Sequence, residues 1–392
     1  MFPRKIQASL QEHLSSKQIT VLTGMRRTGK TTLVKKLLND IPSSNKAYFD
    51  LERLDNREMF AERNYDAILQ ALRQRGIDTS IKTYLALDEI QLAPNIASVL
   101  KYLHDNYEIK FIVTGSSSFY LKNLFSESLS GRKKLFELHT LDFGEFLTFK
   151  GVLFETSDDF TKKVFQQAEY DRVKSFYEEF VEFGGFPDVV LAQRSADKRD
   201  MASDIVSSYV NIDIKTLADF RNRESMYKLM KMLAGRCCTR LEYVKLSRLM
   251  GISRLTVQSY IDFLEHTYLI RRLPVIAVNP DREIVKAKKV YFCDNGILNV
   301  LAVVSSGVKF ENAVFTQLRD KGELSYYAQK NGREIDFILN KETAFEVKET
   351  PVDTDEFALK ELVRRAGLRK SRLIGRFPVP HFSDYTWAGE IY

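Results

Sequence analysis

The stretch Thr20–Leu38, TVLTGMRRTGKTTLVKKLL, decides the fold of this chain. It begins as an apolar strand pattern, passes through two glycines and continues as an amphipathic helix pattern. Residues 24–31 match GxxxxGK[ST], and this pattern requires a strand before it and a helix after it, as here. The stretch therefore predicts a phosphate-binding loop. A chance glycine-rich turn is the alternative.

Each residue type in this loop suits a nucleoside triphosphate. Glycines let backbone N–H groups curl around the phosphates, and the helix N-terminus supplies positive potential. Lys30 is expected to reach the outer phosphates and Thr31 to bind Mg²⁺. We predict ATP and Mg²⁺ as cofactors, bound by Gly24, Met25, Arg26, Arg27, Thr28, Gly29, Lys30, Thr31 and Thr32.

A second acidic group for the metal comes from YLALDE at residues 84–89. Four mostly apolar residues deliver Asp88 to a strand end as the predicted Mg²⁺ ligand, with Glu89 beside it as the predicted general base. Taken alone, such a pair is more often a solvent-facing strand end. Its combination with the loop favours the catalytic interpretation.

Two further segments supply candidates for the same site. The strand pattern FIVTGSSS at 111–118 ends in small polar residues, of which Thr114 or Ser116 can sense the γ-phosphate through the attacking water. Arg132, in SLSGRKK, is predicted to donate positive charge to the transition state, in its own chain or in a neighbouring subunit. A homo-oligomer is therefore a possible state. An ordinary surface arginine is the alternative for Arg132.

Several motifs occur in an order that resembles a known family. They are LTGMRRTGKTT, LALDEIQ, IVTGSSSFYL, SLSGR, LDFGEF and FGGFP, followed by KVYFCDNGILNVL at residues 289–301 and the closing segment. In this order they resemble the bacterial and archaeal AAA-type ATPases that carry a C-terminal domain of unknown function. The resemblance implies ATP binding and ATP hydrolysis, without one agreed biological role.

Residues 242–273 have the pattern of a helix, a turn and a second helix. Ser253 suits the N-cap of the second helix, in which Val257, Tyr260, Ile261 and Leu264 form an apolar stripe. We predict a winged-helix module with an outward face that can meet DNA, formed by Arg254, Thr256 and Gln258 near Arg248, Arg271 and Arg272. A winged helix used for protein packing or subunit contact is the alternative.

The segment NGREIDFILNKETAFEVKET at residues 331–350 predicts a hairpin with a three-residue loop. That loop pairs Leu339 with Thr343, so Asp336 lies opposite Glu346 and on the same side as Lys348. Two carboxylates can hold a divalent cation, and a lysine can orient the water that attacks a phosphodiester.

This hairpin resembles the D…ExK site of the PD-(D/E)xK nucleases. Upstream, Glu311 lies on an apolar helical face and matches the helix glutamate of that superfamily. The predicted second metal site is Glu311, Asp336 and Glu346. Charged residues that merely alternate on a half-exposed strand, or a nuclease fold kept as a binding platform, are the alternatives.

The predicted fold class is α/β with four parts: an AAA-type P-loop ATPase domain at 1–145, a helical lid or linker at 146–222, a winged-helix-like domain at 223–284 and a restriction-endonuclease-like domain at 285–392. The net charge of +7 permits DNA contact. The chain lacks an apolar run of about 18 residues and a cysteine framework, which favours a cytoplasmic protein without a membrane span.

Two functions follow from these predictions. The first is an ATPase coupled to DNA binding or processing, whose endonuclease activity stays open. The second is a nucleotide-dependent oligomerisation or signalling switch, whose C-terminal domain is an inactive binding module.

Overall fold

The computed structural model describes residues 2–93, 95–115, 129–155, 159–214, 223–276, 287–329 and 331–392. The chain divides into two compact units, Met1–His139 with His266–Tyr268, and Thr140–Glu265 with Leu269–Tyr392. Among the described residues, no helix combines the length and the apolar character that a membrane crossing requires. The finer boundaries after residues 145, 222 and 284 stay predictions.

The first unit is built of strands separated by helices. Its elements are α1 Gln7–His13, β1 Ile19–Thr23, α2 Lys30–Asp40, β2 Lys46–Asp50, α3 Leu54–Ala61, α4 Tyr65–Gln74, β3 Thr83–Asp88, α5 Ile96–Asn106, β4 Ile109–Gly115 and β5 Lys133–Glu137, with a 3-10 turn at Ile90–Leu92.

A five-stranded sheet in the order β2-β3-β4-β1-β5 forms the centre of this unit. Every neighbouring pair is parallel. Apolar side chains are buried on both of its faces, in one cluster that includes Val21, Leu85 and Phe111 and in a second that includes Leu22, Ala86 and Ile112. The sheet is thus parallel throughout and covered on both faces, and it brings all strand carboxyl ends to one edge.

The second unit is richer in helices. Its elements are α6 Phe143–Phe149, α7 Gln167–Phe183, α8 Pro187–Leu191, α9 Ser195–Ser208, α10 Arg223–Ala234, α11 Tyr243–Met250, α12 Arg254–His266, β6 Ile270–Leu273, β7 Val275–Ile276, β8 Lys289–Phe292, α13 Asn295–Leu301, α14 Ser306–Leu318, β9 Leu324–Ala328, β10 Glu334–Leu339, β11 Thr343–Lys348, α15 Asp353–Ala366, β12 Lys370–Gly375 and β13 Thr386–Trp387.

A mixed sheet in the order β13-β12-β11-β10-β9-β7 carries the predicted hairpin. Leu339 pairs with Thr343 and Phe337 with Phe345, so the three-residue loop and its register are confirmed. The side chains of β10 do not alternate strictly between the two faces of the sheet. A register shift against β9 lies between Ile335 and Ile338, and both of these side chains pack in one cluster with α15.

The helix, turn and helix pattern is present as predicted. α11 ends at Met250 and is capped by Gly251, which has a φ of 67°. The backbone N–H of Thr256 donates to Ser253 Oγ at 3.0 Å. The predicted apolar stripe of α12 is buried. β6 pairs antiparallel with β8. The assignment of this region as a winged helix stays a prediction.

The end of β1 depends on a glycine. Gly24 has a φ of 150°, and a Cβ built there would lie 2.2 Å from the carbonyl oxygen of Leu138, the residue that follows β5. The N–H of Leu138 donates to Thr23 O at 2.7 Å, which keeps the two backbones together. A side chain at position 24 would therefore have to push apart two segments of backbone.

We expect Gly24→Ala to lower the free energy of unfolding by about 3 kcal/mol, because a backbone contact cannot yield as a side chain can. Gly76→Ala is the matched control, since Gly76 has a φ of 82° but has nothing within 4 Å of its Cβ position. The control is expected to lower the free energy of unfolding by about 1 kcal/mol, because alanine is strained at a positive φ. Urea unfolding measures both, and equal losses would contradict the close contact.

Candidate functional site

The predicted phosphate-binding loop connects β1 to α2 at the carboxyl edge of the parallel sheet. Arg27 and Gly29 both have positive φ, at 65° and 94°, so the chain curls and its N–H groups can converge on an anion. Thr28 Oγ1 donates to Met25 O at 2.9 Å and closes the loop. Lys30 is buried, and its ammonium donates to Gly24 O and Met25 O, each at 2.9 Å.

The remaining loop residues differ in exposure. Arg26 lies 3.6 Å from Glu52 in an ion pair, whereas Arg27 and Thr32 are exposed. The ammonium of Lys30 is therefore the buried positive charge of the loop, whereas Arg26 is half-buried beside Glu52 and Arg27 is exposed.

Asp88 is the buried acceptor beside the loop. Thr31 Oγ1 donates to Asp88 Oδ2 at 2.7 Å, and the hydroxyl of Tyr48 donates to the same oxygen at 2.6 Å. Thr114 Oγ1 donates to Asp88 Oδ1. Burial and the bond to Asp88 raise the pKa of Tyr48, so its hydroxyl stays a donor.

Thr31 and Asp88 form the pair of oxygen ligands that a nucleotide-bound Mg²⁺ requires. Their direct hydrogen bond places a hydroxyl and a carboxylate at one point near the end of the loop. The donor set therefore fits Mg²⁺, with Thr31 and Asp88 as the residues that would hold it.

Glu89 follows Asp88 in a left-handed conformation with a φ of 56°. A residue other than glycine rarely adopts this conformation, and such strain concentrates at functional sites. The Glu89 side chain is 9% exposed and accepts a hydrogen bond from Gln91 Nε2. Its backbone N–H donates to Thr114 Oγ1 at 3.0 Å.

The structure thus brings Lys30, Thr31, Asp88 and Glu89 together with Thr114. Ser116, the other residue considered for γ-phosphate sensing, lies outside the described residues. Two contributors were missed in the sequence. In the sequence, Tyr48 is one aromatic residue of a strand pattern. The pairing of β2 with β3 brings its hydroxyl to Asp88. Arg4 donates to Thr28 O at 2.9 Å and to His139 O at 2.8 Å, and the sequence carries no signal for this contact.

Arg132 is not brought to this site. Its carbonyl accepts from the N–H of Ile19, the first residue of β1, so Arg132 lies at the amino edge of the sheet, opposite the loop. Its guanidinium makes two bonds to Asp105, at 2.8 and 2.9 Å, which lower the pKa of that carboxyl. The prediction that Arg132 serves the nucleotide of its own chain is therefore wrong. A role toward a neighbouring subunit stays a prediction.

In the second unit, the predicted hairpin site is assembled as a cluster of acids. Lys348 Nζ lies 2.7 Å from Glu346 Oε1, and the N–H of Val347 donates to Asp336 Oδ2 at 3.0 Å. The hydroxyl of Tyr291 donates to Glu311 Oε1 at 2.7 Å. Burial, with the nearby charge of Asp336, raises the pKa of Glu311 to about 7 and that of Glu346 to about 8.

A lysine that was not predicted lies among these acids. Lys289, at the start of β8, places its ammonium 2.8 Å from Glu334 Oε1, 3.4 Å from Asp336 Oδ1 and 3.6 Å from Glu311 Oε1. Within the described part of the chain, no three His, Cys, Asp or Glu residues are arranged to hold a metal ion. Glu311, Asp336 and Glu346 therefore do not fit the predicted metal site, because an ammonium is already bound by two of them.

The predicted DNA-facing surface of the helix–turn–helix needs one correction. Arg272 pairs with Asp262 at 2.7 Å and bonds Glu265 Oε2 at 2.7 Å, so its guanidinium is committed within the chain. The side chains of Arg248, Arg254, Gln258 and Arg271 are exposed, and Thr256 is half-buried. The available surface is therefore smaller than the sequence predicted.

Residues 16–147 match the family model described as "AAA domain". Residues 174–307 match a second family model, described as "Domain of unknown function (DUF8612)". Together with the parallel sheet and the loop geometry, the first match confirms the predicted AAA-type P-loop fold of the N-terminal segment. The nuclease-like fold of the C-terminal segment stays a prediction.

Relatives that align with most of this chain are described as uncharacterized proteins. The chain is 28% identical over 382 residues to one from Methanocaldococcus jannaschii, in an alignment that spans 91% of this chain and 82% of that protein. It is 25% identical over 358 residues to one from Haemophilus influenzae, where the alignment spans 86% and 85%, respectively.

Two solved structures are also similar to this chain. A variant of RuvB from Thermotoga maritima has a TM-score of 0.35 at 16% identity, and the match covers 70% of this chain and 90% of that one. Aeropyrum pernix ORC2 in the ADP form has a TM-score of 0.37 at 13% identity, and the match covers 75% and 90%. These scores are too low to support a functional argument.

Tyr48 provides a test of the site. We expect Tyr48→Phe to lower the rate of Mg²⁺-dependent ATP hydrolysis about tenfold, because Asp88 loses one hydrogen bond of about 1.5 kcal/mol that orients its carboxylate. Binding of a fluorescent ATP analogue without Mg²⁺ is expected to stay unchanged. Tyr84→Phe, at the amino end of β3, is the matched control. Equal rates in Tyr48→Phe and wild type would contradict the orienting role.

Proposed function

We propose that this chain is an ATPase that binds ATP with Mg²⁺ and hydrolyses it at the carboxyl edge of the parallel sheet. The observation that carries the proposal is the contact between two chain neighbours of the other candidates: Thr31, which follows Lys30 in the loop, and Asp88, which precedes Glu89. The direct bond of 2.7 Å between Thr31 and Asp88 supports it most, because it joins the two metal-binding groups expected from separate motifs.

The residues divide the chemistry among them. The N–H groups of the loop bind phosphate oxygens, and Lys30 exchanges its bonds to loop carbonyls for bonds to the outer phosphates. Mg²⁺, when bound, neutralises phosphate charge. Glu89 accepts the proton of the attacking water, and its bond from Gln91 holds the carboxylate in place until then. Thr114 orients Asp88 and the backbone of Glu89.

The helix–turn–helix supports a coupling of this ATPase to DNA. Its outward surface, formed by the exposed residues Arg248, Arg254, Gln258 and Arg271, has two types of side chain that contact phosphates and base edges. The net charge of +7 favours approach to a polyanion. DNA is therefore the proposed macromolecular partner.

A second candidate function is a nucleotide-dependent switch, in which occupancy of the loop controls assembly and the C-terminal domain binds a partner without catalysis. The observation that favours it is the ammonium of Lys289 among the acids of the hairpin site. Under this proposal hydrolysis is slow and independent of DNA.

The first experiment measures ATP hydrolysis with and without duplex and single-stranded DNA. We expect Lys30→Ala and Glu89→Gln each to lower the rate about 100-fold, because they remove the phosphate contact and the base. Lys36→Ala, a lysine on the same helix that pairs with Asp40, is the control and is expected to retain the wild-type rate. A wild-type rate in Glu89→Gln would overturn its assignment as the base.

The second experiment measures DNA binding at several salt concentrations. We expect Arg254→Ala to weaken DNA binding and to reduce the slope of log affinity against log salt by about 1, because one phosphate contact is lost. Arg194→Ala, an exposed arginine outside the helix–turn–helix, is the matched control. If the slope changes equally in both variants, DNA is attracted by general charge and not by the helix–turn–helix. If DNA does not stimulate ATP hydrolysis by the wild-type chain, the switch is favoured.

A further inference from the structure

The C-terminal acidic cluster contains its own cation. The side chain of Lys289 is 2% exposed, and a buried ammonium persists only where acceptors surround it. Here the acceptors are three carboxylates, from Glu334 and Asp336 on β10 and from Glu311 on α14. The ring of Tyr326 adds a cation–π contact at 5.5 Å.

The same strand that supplies Lys289 also fixes one of its partners. Tyr291 lies two residues later on β8, so its side chain is on the same face, and its hydroxyl donates to Glu311 Oε1. β8 therefore delivers both the cation and the hydrogen-bond donor that hold Glu311 in place. The arrangement is built from three elements that are far apart in sequence.

The other acids of the cluster also have cationic partners within the chain. Arg240 lies 3.0 Å from Glu334 Oε2, and Lys348 lies 2.7 Å from Glu346 Oε1. Among the described residues, the carboxylates of the cluster are thus largely neutralised by side chains. A divalent ion that entered would meet the charge of Lys289 within a few ångströms, at the oxygens it would need as ligands.

We propose that Lys289 is a built-in cation that occupies the place at which this acidic cluster would otherwise bind a divalent metal. The ammonium contacts two of the three acids that a D…ExK site would use, Asp336 and Glu311. The buried second oxygen of Glu346 has no hydrogen-bond partner among the described residues, so it is an acceptor that the cluster leaves unused.

The proposal concerns a different site from the nucleotide loop and does not depend on ATP hydrolysis. It has a direct consequence for the function of the C-terminal domain. With Lys289, Arg240 and Lys348 balancing the acids, the cluster offers a phosphodiester neither a bridging metal nor an excess of positive charge. Contact with DNA would then use the helix–turn–helix and not this cluster.

The experiment measures Mn²⁺ binding by electron paramagnetic resonance in the full chain without nucleotide. An Asp88→Asn background removes the metal ligand of the loop, so that bound Mn²⁺ reports on the C-terminal cluster. We expect no bound Mn²⁺ in this background, and one bound Mn²⁺ when Lys289→Met is added. The Mn²⁺ affinity of the cluster should be at least about tenfold higher with Lys289→Met than in the Asp88→Asn background, because metal affinity follows the charge that the ligands present. Lys288→Met, an exposed neighbour, is the matched control and is expected to bind none.

A further Asp336→Asn change is expected to abolish the new site, which assigns the metal to this cluster. If Lys289→Met is unfolded without metal, restoration of its circular dichroism by Mn²⁺ but not by Na⁺ supports the proposal. Mn²⁺ bound in the Asp88→Asn background and lost on Asp336→Asn overturns it. It is equally overturned if neither Lys289→Met nor Lys289→Gln binds Mn²⁺. Failure of the ATPase would change none of these outcomes.

Discussion

The nucleotide site depends on the buried carboxylate of Asp88. Three hydroxyls from three elements donate to it, Thr31 from α2, Tyr48 from β2 and Thr114 from β4. A buried carboxylate without such donors would be strongly destabilising. The parallel sheet makes the arrangement possible, because its order places β2 and β4 on the two sides of β3 and ends all three strands at one edge. The sheet order is thus a condition for the chemistry of the site.

Two buried lysines show how the choice of acceptor decides what a cation can do. Lys30 donates to two neutral carbonyls of its own loop, and the oxygens of a phosphate can replace these acceptors. Lys289 lies among three carboxylates, which compensate its charge and raise its pKa despite burial. The first ammonium can exchange its partners for a ligand at little electrostatic cost. If the ammonium of Lys289 moved, the negative charge of the buried acids around it would be left uncompensated.

Sequence patterns predicted what short stretches of chain decide. The loop at 24–31 and the hairpin register at Leu339 and Thr343 follow from residue spacing, because turn length and side-chain alternation fix them locally. Tyr48 and Lys289 could not be predicted, since each reaches an acid about 40 residues or more away, through strand pairing or helix packing. The prediction that Arg132 serves the nucleotide of its own chain failed for the same reason. Its motif does not reveal which edge of the sheet it occupies, and the register of β5 against β1 places it at the amino edge.

The loop is also braced from outside, which bears on how it binds a ligand. Leu138 O lies so close to Gly24 that no side chain fits between them, and Arg4 ties Thr28 O to His139 O. Both ends of the loop are therefore fixed to the segment after β5. Binding a phosphate to a loop that is already shaped requires less ordering of the backbone than binding to a mobile one. Under the proposed function, the brace formed by Arg4 and the segment 138–139 would contribute to affinity although none of these side chains belongs to the phosphate-binding motif.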